Sequence, residues 1–430
     1  MGMDFDYNFV VKIFDYDSVA KYYNYKFVVK IGLEMSTGNI VTGDNYFPRP
    51  ADEKKLWRHL SDGAHVLLLA PRRVGKSSLI THIKDQPKSG YAVIYVFVQA
   101  CDNEQSFYQK MLREIYRSDH IKKSEKIKSK LSEWAKGINF SLSVSPTNIE
   151  AGLGKEKGET KIITHEMIRD VLYESLKLSE ETIIIAIDEF PDVLEKISDE
   201  HGKRGVEQFL SGIRALCQDP EFNEKVQFIL TGSIGLDTLA EKLAVTDLIN
   251  MLVNMSVRPF KDDRAVEFID FYINKHCSEV ILDIETKQAI IDEVGWNMPY
   301  YLGLVCEQLI EIFDEEERQI EHSDVKVAIN SLFSPAMKTV FSHWRDRLNR
   351  LEKIERSYAQ QVLDLVSQVN NSVVYGELFN LSQQADFKDQ VDSRYVINCL
   401  LHDGYLYQPD DSTYQFTSPL LKRWWIRYGK

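Results

Sequence analysis

One short segment near residue 75 constrains this chain more than any other feature. It follows a run of apolar residues, His65–Leu69, and opens a pattern typical of a helix, Ser77–Lys84. The segment reads Ala70-Pro71-Arg72-Arg73-Val74-Gly75-Lys76-Ser77-Ser78-Leu79. A strand, a glycine-containing turn and a helix in this order predict a phosphate-binding loop, because backbone N–H groups and the positive end of the helix converge there.

Residues of this loop have separate expected roles. Gly75 lets the backbone approach phosphate oxygens closely. Lys76 would bring positive charge to the β- and γ-phosphates, and the Ser77 hydroxyl would bind Mg²⁺. Ala70 stands where such loops usually carry a first glycine, and it would be strained if its φ were positive. The predicted nucleotide contacts are Pro71, Arg72, Arg73, Val74, Gly75, Lys76, Ser77 and Ser78.

An apolar strand pattern that ends in two acids supplies the second half of such a site. Ile183–Ile187 is followed directly by Asp188 and Glu189, about 110 residues after the loop. Carboxylates at the C-terminal end of a buried strand lie where α/β sheets bind ligands. We expect Asp188 to hold Mg²⁺ through water and Glu189 to polarise the attacking water. Alone, this pattern is a weak indication of such a site. Together with the loop it becomes a specific one.

A third apolar run, Phe228–Leu230, leads into Thr231, Gly232 and Ser233. A hydroxyl at this point could bind the γ-phosphate or the attacking water. Ser233 is the better candidate and Thr231 the second. The alternative is an ordinary exit from a strand into a turn.

Residues 46–250 alternate strand and helix patterns. Short β-branched runs predict a parallel sheet that is covered on both faces, and the helices between them predict crossover units. The sequence therefore predicts an α/β core, with an inserted β-hairpin at about residues 137–154. The predicted strands are His65–Leu69, Ala92–Val98, Thr182–Ile187 and Val226–Leu230, and the helices are Ser77–Lys84, Ser106–Arg117, Thr164–Lys177 and Gly205–Cys217.

Two further regions follow the predicted core. Residues 251–335 carry helical patterns and predict a helical lid. In residues 336–430, a helix near Val391–Asp403 precedes a hairpin pattern formed by Tyr405–Gln408 and Tyr414–Thr417. Helices followed by a short hairpin indicate a winged helix.

Residues 1–45 are an aromatic, β-rich extension in which Phe-Val-Val-Lys-Ile occurs twice, at Phe9–Ile13 and Phe27–Ile31. β-branched and aromatic residues favour strands. One interpretation is a pair of strands packed on the next domain. The other is an exposed aromatic surface for a partner.

Composition excludes several classes of protein. The chain has 430 residues and a net charge of −13, so its surface as a whole repels nucleic acid. Its five cysteines are dispersed without a CxxC pair, which argues against a disulfide framework or zinc ribbon and favours a reducing compartment. No apolar run approaches the ~18–20 residues of a membrane span, and no signal-peptide pattern is present. We expect a cytoplasmic protein without a membrane partner.

These motifs resemble the archaeal-type ATPase family, a relative of the AAA+ and STAND P-loop NTPases. The resemblance rests on residues 71–79, Ile187–Phe190 and Leu230–Ser233, and it spans roughly residues 40–430. It implies a P-loop NTPase parallel-sheet core with a helical lid and a C-terminal winged-helix domain.

Two outlying segments extend the resemblance. Phe47-Pro48-Arg49 looks like the segment that lies near the adenine in such families, with Pro48 in place of glycine, and it makes Arg49 a nucleotide-binding candidate. Gly295–Leu302 looks like the lid motif whose proline lies against the nucleotide, here Pro299.

The resemblance implies ATP and Mg²⁺ as cofactors, slow hydrolysis, and a switch that moves core, lid and winged helix. An arginine finger would complete catalysis, and Arg214 and Arg258 are the candidates. Either could instead be an ordinary surface arginine. We expect the switch to act on a protein partner or in self-assembly.

Two alternatives stay open at this point: a DNA-loading ATPase that uses the winged helix, and an ATP-binding scaffold that does not hydrolyse. Residues 336–430 hold 12 Lys and Arg against 11 Asp and Glu, and the predicted recognition helix has Arg394 as its only arginine. Two small basic clusters remain, and the second is interleaved with Trp424 and Trp425, which could stack on bases or belong to the core. The clusters are Arg345, Arg347, Arg350 and Lys353, and Lys422, Arg423, Arg427 and Lys430.

Overall fold

The structure is a computed structural model of the chain. It describes residues 40–118, 162–177, 180–232, 239–241, 243–349, 351–370 and 372–429. The repeated segments of residues 1–39 and the hairpin predicted at residues 137–154 lie outside the described residues, as does Ser233.

A five-stranded parallel sheet forms the centre of the first half of the chain. The strands lie in the order β2-β3-β4-β1-β5, and every neighbouring pair is parallel. This confirms the predicted α/β core, and the four predicted strands agree with β1–β4 to within two residues. The strands are β1 (His65–Leu69), β2 (Tyr91–Phe97), β3 (Thr182–Asp188), β4 (Val226–Gly232) and β5 (Leu252–Ser256).

Helices cover both faces of the sheet. α5 is longer than predicted: it begins directly after β3, and one residue within it, Gly202, has a left-handed φ of 62°. The prediction found only the half that follows this interruption. The core helices are α1 (Pro50–Ser61), α2 (Lys76–Asp85), α3 (Glu104–Arg117), α4 (His165–Leu176) and α5 (Phe190–Cys217).

Apolar side chains pack helices α3 and α5 together beside the central strand β3. Residues 183–188 of β3 are all buried, as expected for a central strand of a two-faced sheet. On one face, Phe107 of α3 packs edge-on against Phe209 of α5, with ring centroids 4.9 Å apart, and Phe190 stacks on Phe209. Each fully buried phenylalanine contributes about 1.5–3 kcal/mol relative to exposure. The first turn of α5 is thereby held against the end of β3.

The sheet continues past residue 250, the predicted end of the core. β5 pairs with β1 as an edge strand, and its residues 253 and 254 are exposed. Four helices follow and match the patterns predicted for the lid. They are α6 (Asp262–His276), α7 (Ile284–Val294), α8 (Pro299–Glu316) and α9 (Asp324–Ser331).

The C-terminal region contains the predicted helix near Val391–Asp403 and the predicted hairpin after it. Its strands form a small antiparallel sheet in the order β6-β8-β7. None of the helices within the described ranges is long and apolar enough to cross a lipid bilayer. The elements are α10 (Ser342–Leu348), α11 (Lys353–Gln368), β6 (Val373–Val374), α12 (Tyr375–Ser382), α13 (Ser393–His402), β7 (Leu406–Tyr407), β8 (Thr413–Phe416) and α14 (Pro419–Trp424).

The C-terminal region packs closely on the end of α7. Ser418 donates from Oγ to the carbonyl oxygen of Val294 at 2.5 Å in a buried hydrogen bond. Gly295 has a φ of 68°, and a Cβ atom there would lie 2.3 Å from Cδ of Pro419. Gly295 is therefore required both by its backbone conformation and by the close approach.

Gly295→Ala should destabilise the protein by about 1–3 kcal/mol, because it adds backbone strain and a collision with Pro419. Gly376→Ala in α12 is the matched control: no atom lies within 4 Å of its added Cβ. It should change stability by less than about 0.5 kcal/mol. The midpoint of thermal unfolding measures both, and equal midpoints in the two variants would contradict the described packing.

Candidate functional site

The loop between β1 and α2 has the backbone shape of a phosphate-binding turn. Gly75 has a φ of 98°, Arg73 has a φ of 70°, and α2 begins at Lys76. Ala70 is buried and is not among the residues with positive φ, so the missing first glycine causes no strain. The turn and the ten-residue helix α2 together present backbone N–H groups at one place.

Lys76 is buried at the start of α2, with a fractional exposure of 5%. Burial lowers the pKa of its ammonium group, while the carboxylates of Glu189 and Asp188 act in the opposite direction. The positive fields of Arg347 and Arg72 lower the pKa further. A buried cation with further cations beside it is an electrostatic site for a multiply charged anion.

The carboxylate of Asp188 is the most constrained polar group of the site. Its Oδ2 accepts hydrogen bonds from the hydroxyls of Ser77 at 2.6 Å and Tyr95 at 2.7 Å. Its Oδ1 accepts from the Thr231 hydroxyl and from the backbone N–H of Glu189 at 3.1 Å. The loop after β1 and the ends of β2, β3 and β4 therefore meet at one fully buried acid.

Tyr95 is a site residue that sequence reasoning missed. It lies on β2, which pairs with β3, and it belongs to no recognisable motif. Burial, followed by the charge of Asp188, raises the pKa of its phenol, so the phenol remains a hydrogen-bond donor. A hydroxyl-bearing side chain near the C-terminal end of an apolar strand was the available signal.

Glu189 follows Asp188 in a left-handed backbone conformation with a φ of 59°. Its side chain is half-buried, and burial raises the pKa of the carboxyl group, against the attraction of Lys76. A carboxylate with a raised pKa beside a phosphate site is a suitable general base, because its proton affinity is closer to neutrality.

Arg49 joins the loop to the chain segment that leads into the lid. Its Nη2 donates to the carbonyl oxygen of Val74 at 2.6 Å, and its Nη1 donates to that of Arg258 at 3.1 Å. The guanidinium lies 4.3 Å from the ring centroid of Phe260. The structure thus places Arg49 against the back of the loop, where it holds core and lid segment together.

The lid helix α8 begins beside the loop. Pro299 is its first residue, and the guanidinium of Arg73 lies 4.5 Å from the ring centroid of the next residue, Tyr300. Pro299 is therefore brought to the same side of the core as Lys76. Arg258 is exposed just beyond the C-terminal end of β5, at the edge of the sheet that carries the loop.

The structure does not bring Arg214 to this site. Arg214 lies in the last turn of α5, and its Nη1 donates to Oδ1 of Asn250 at 3.0 Å. The carbonyl of nearby Cys217 lies 2.7 Å from Nε2 of His65 at the start of β1. Arg214 is therefore at the opposite edge of the sheet.

The remaining predicted residues lie in or next to the loop. Pro71 and Val74 are buried, Arg72 is half-buried, and the buried Ser78 accepts a hydrogen bond from the Val41 backbone N–H at 3.2 Å. Thr231, the second choice after Ser233, bonds to Asp188.

The loop, Ser77 and Asp188 together fit a nucleoside triphosphate with Mg²⁺. Mg²⁺ prefers oxygen ligands, and it is usually held by one or two carboxylates together with substrate phosphates. The Ser77 hydroxyl and the Asp188 carboxylate are adjacent oxygen donors beside the loop. Within the described ranges, no group of three or more His, Cys, Asp or Glu residues could hold a metal ion by itself. A phosphate-bound metal suits this donor set better than an all-protein cage.

Comparison with solved structures confirms the predicted resemblance at the level of the fold. A Walker-type ATPase of Pyrococcus abyssi aligns over 88% of this chain and 96% of its own, with a TM-score of 0.59 and 16% identity. The ORC2 protein of Aeropyrum pernix aligns over 87% and 92%, with a TM-score of 0.45 and 13% identity. No protein-family model and no curated protein matches the chain. The chain thus has the fold of a P-loop ATPase.

Replacing Glu189 by Gln should stabilise the nucleotide-free protein at neutral pH. A raised pKa means that the carboxylate form is less favourable in the folded chain than in the unfolded chain. Removing this charge therefore increases the free energy of unfolding. The gain should fade as the pH falls to about 4, where the glutamic acid becomes protonated in both states. Thermal unfolding measured from pH 4 to pH 8 tests this.

Asp188→Asn is the contrasting variant. Both oxygens of Asp188 accept two hydrogen bonds, so an amide nitrogen in either position would face two donors. The change should cost about 1–3 kcal/mol. Melting temperatures that move in the same direction in both variants would contradict the described site.

Proposed function

We propose that this protein is a Mg²⁺-dependent ATPase that works as a nucleotide-operated switch. The observation that carries the proposal is the 2.6 Å hydrogen bond between Ser77 of the loop and Asp188 at the end of β3, beside the buried Lys76. One edge of the sheet thereby combines a phosphate-binding turn, an acid for the metal and a second acid for water activation.

The chain's own residues account for each part of the hydrolysis. The loop N–H groups and Lys76 bind the phosphates, and Ser77 and Asp188 would hold Mg²⁺. Bound Mg²⁺ supplies charge neutralisation at the phosphate oxygens. Glu189 accepts a proton from a water molecule as the oxygen of that water attacks the γ-phosphorus. The bond between the γ-phosphorus and the oxygen that bridges it to the β-phosphate breaks, leaving ADP and phosphate. Ser233 remains the proposed contact to the γ-phosphate or the water.

The contacts around the loop support the switch. Tyr300 of the lid touches Arg73 of the loop, and Arg49 holds both the loop and the carbonyl of Arg258. A nucleotide that contacts core and lid together would favour the closed arrangement by its differential affinity. We propose that Pro299 lies against that nucleotide and that a protein partner or another copy of the chain reads the closed state.

The two finger candidates suit different arrangements. Arg258 is exposed at the edge that carries the loop, so it could complete its own site. Arg214 lies at the opposite edge, so it could act only in the site of a neighbouring copy.

ATP binding and turnover test the proposal directly. Saturating ATP with Mg²⁺ should stabilise the protein, by about 2.7 kcal/mol at 100 times the Kd. Lys76→Ala should abolish this shift. Glu189→Gln should retain binding and slow hydrolysis by roughly 10²–10⁴-fold. An unchanged melting temperature would contradict nucleotide binding, and binding without any turnover in the wild type would support the non-hydrolysing scaffold.

The DNA-loading alternative loses support from the winged helix. Trp424 and Trp425 are buried, with exposures of 2% and 1%, and Nε1 of Trp425 donates to Asp364, so these rings belong to the core. Arg423 forms an ion pair with Glu293, and Lys422 donates to a backbone carbonyl. The second basic cluster is largely occupied by contacts within the protein.

Binding to duplex DNA at increasing salt separates the two functions. We expect no binding at about 50 mM salt, since α13 carries Arg394 as its one lysine or arginine. Affinity that falls steeply with salt concentration would instead favour the DNA-loading function. Arg394→Glu on α13 is the matched variant, because it would abolish binding of that kind.

A further inference from the structure

Arg347 occupies an unexpected position in α10. The sequence groups it with Arg345 in a small basic cluster, but its side chain is only 4% exposed in the structure. Arg345, two residues earlier on the same short helix, is exposed and donates to the carbonyl oxygen of Tyr428 at the surface. The two arginines therefore face different environments.

Only one side of the Arg347 guanidinium is satisfied. Nη1 donates to the carbonyl oxygen of Asp403 at 2.5 Å and lies 3.3 Å from Oδ1 of the same residue. Nη2 is buried and has no hydrogen-bond partner among the residues that the structure describes. A buried, unsatisfied donor on a charged group is costly, so this nitrogen calls for an acceptor.

The surroundings of Arg347 point to where that acceptor lies. Trp344, one turn earlier on α10, donates from Nε1 to the hydroxyl of Tyr301 at 2.7 Å. Tyr301 follows Tyr300, whose ring lies against Arg73 of the loop. Trp344 and Tyr301 thus join α10, the helix that carries Arg347, to the start of α8 beside the loop.

We infer that Arg347 donates from Nη2 to the terminal phosphate of ATP bound at the loop. The inference rests on the proposed function, because it needs a nucleotide at Lys76. Three cations from three regions would then surround the phosphates: Lys76 from the core, Arg73 against the lid, and Arg347 from the C-terminal region. A nucleoside diphosphate lacks the terminal phosphate to which Arg347 would donate.

The same guanidinium holds the end of α13. Asp403 immediately follows α13, and its carbonyl oxygen is the acceptor for Nη1. One side chain would thus contact the nucleotide with one nitrogen and the winged helix with the other. Loss of the terminal phosphate would release Nη2 and weaken the position of α13, which gives the switch a physical route to the winged helix.

Equilibrium binding of ATP and ADP to Arg347→Gln tests the inference. Affinity for ATP should fall by about tenfold or more, the usual effect of losing a charge-assisted hydrogen bond. Affinity for ADP should stay within about twofold of the wild type. Arg345→Gln, two residues away and exposed, should bind both nucleotides as the wild type does.

Arg347→Met is the second variant, to be used if Arg347→Gln does not fold. Methionine keeps an apolar stem and removes the buried charge, and the carboxylate of Asp403 stays hydrated because its side chain is 27% exposed. Either folded variant overturns the inference if its ratio of ATP to ADP affinity equals that of the wild type. Failure of the proposed function looks different: the wild type would then bind ATP no better than Lys76→Ala.

Discussion

A single buried carboxylate organises the site. Asp188 ends the central strand β3 with no exposure to solvent, and a charge in that position is tolerated only because four donors surround it. Those donors come from separate parts of the chain, including Tyr95 on β2, Thr231 on β4 and Ser77 after β1. The strand order β2-β3-β4-β1 is what brings them together. The loop position and the sheet topology therefore depend on the same acid.

Three arginines connect the core to other regions of the chain. Arg49 holds the backbone of the loop and that of the segment leading to the lid. Arg73 lies against Tyr300 at the start of the lid helix. Arg347 binds the end of α13 and leaves a nitrogen without a partner among the described residues. A planar group with several fixed donors suits such bridging, because each nitrogen can serve a different region.

The sequence predicted what local patterns encode. β1 has the predicted bounds, and the loop and the acids Asp188 and Glu189 lie where their motifs placed them. β5 was not recognised as part of the core, because an edge strand with a polar Asn254 lacks a continuous apolar run. Tyr95 and Arg347 were missed for another reason. Their roles come from contacts between distant segments, and one sequence carries no signal for such contacts.

Hydrogen–deuterium exchange with and without Mg²⁺–ATP measures which regions of the chain respond to the nucleotide. We expect one nucleotide site to join the loop, the lid helix and the C-terminal region. ATP should therefore protect residues 70–80, the start of α8 at Pro299 and the end of α13 together, and ADP should leave α13 unprotected. Protection confined to the loop, with α8 and α13 unchanged, would contradict this expectation.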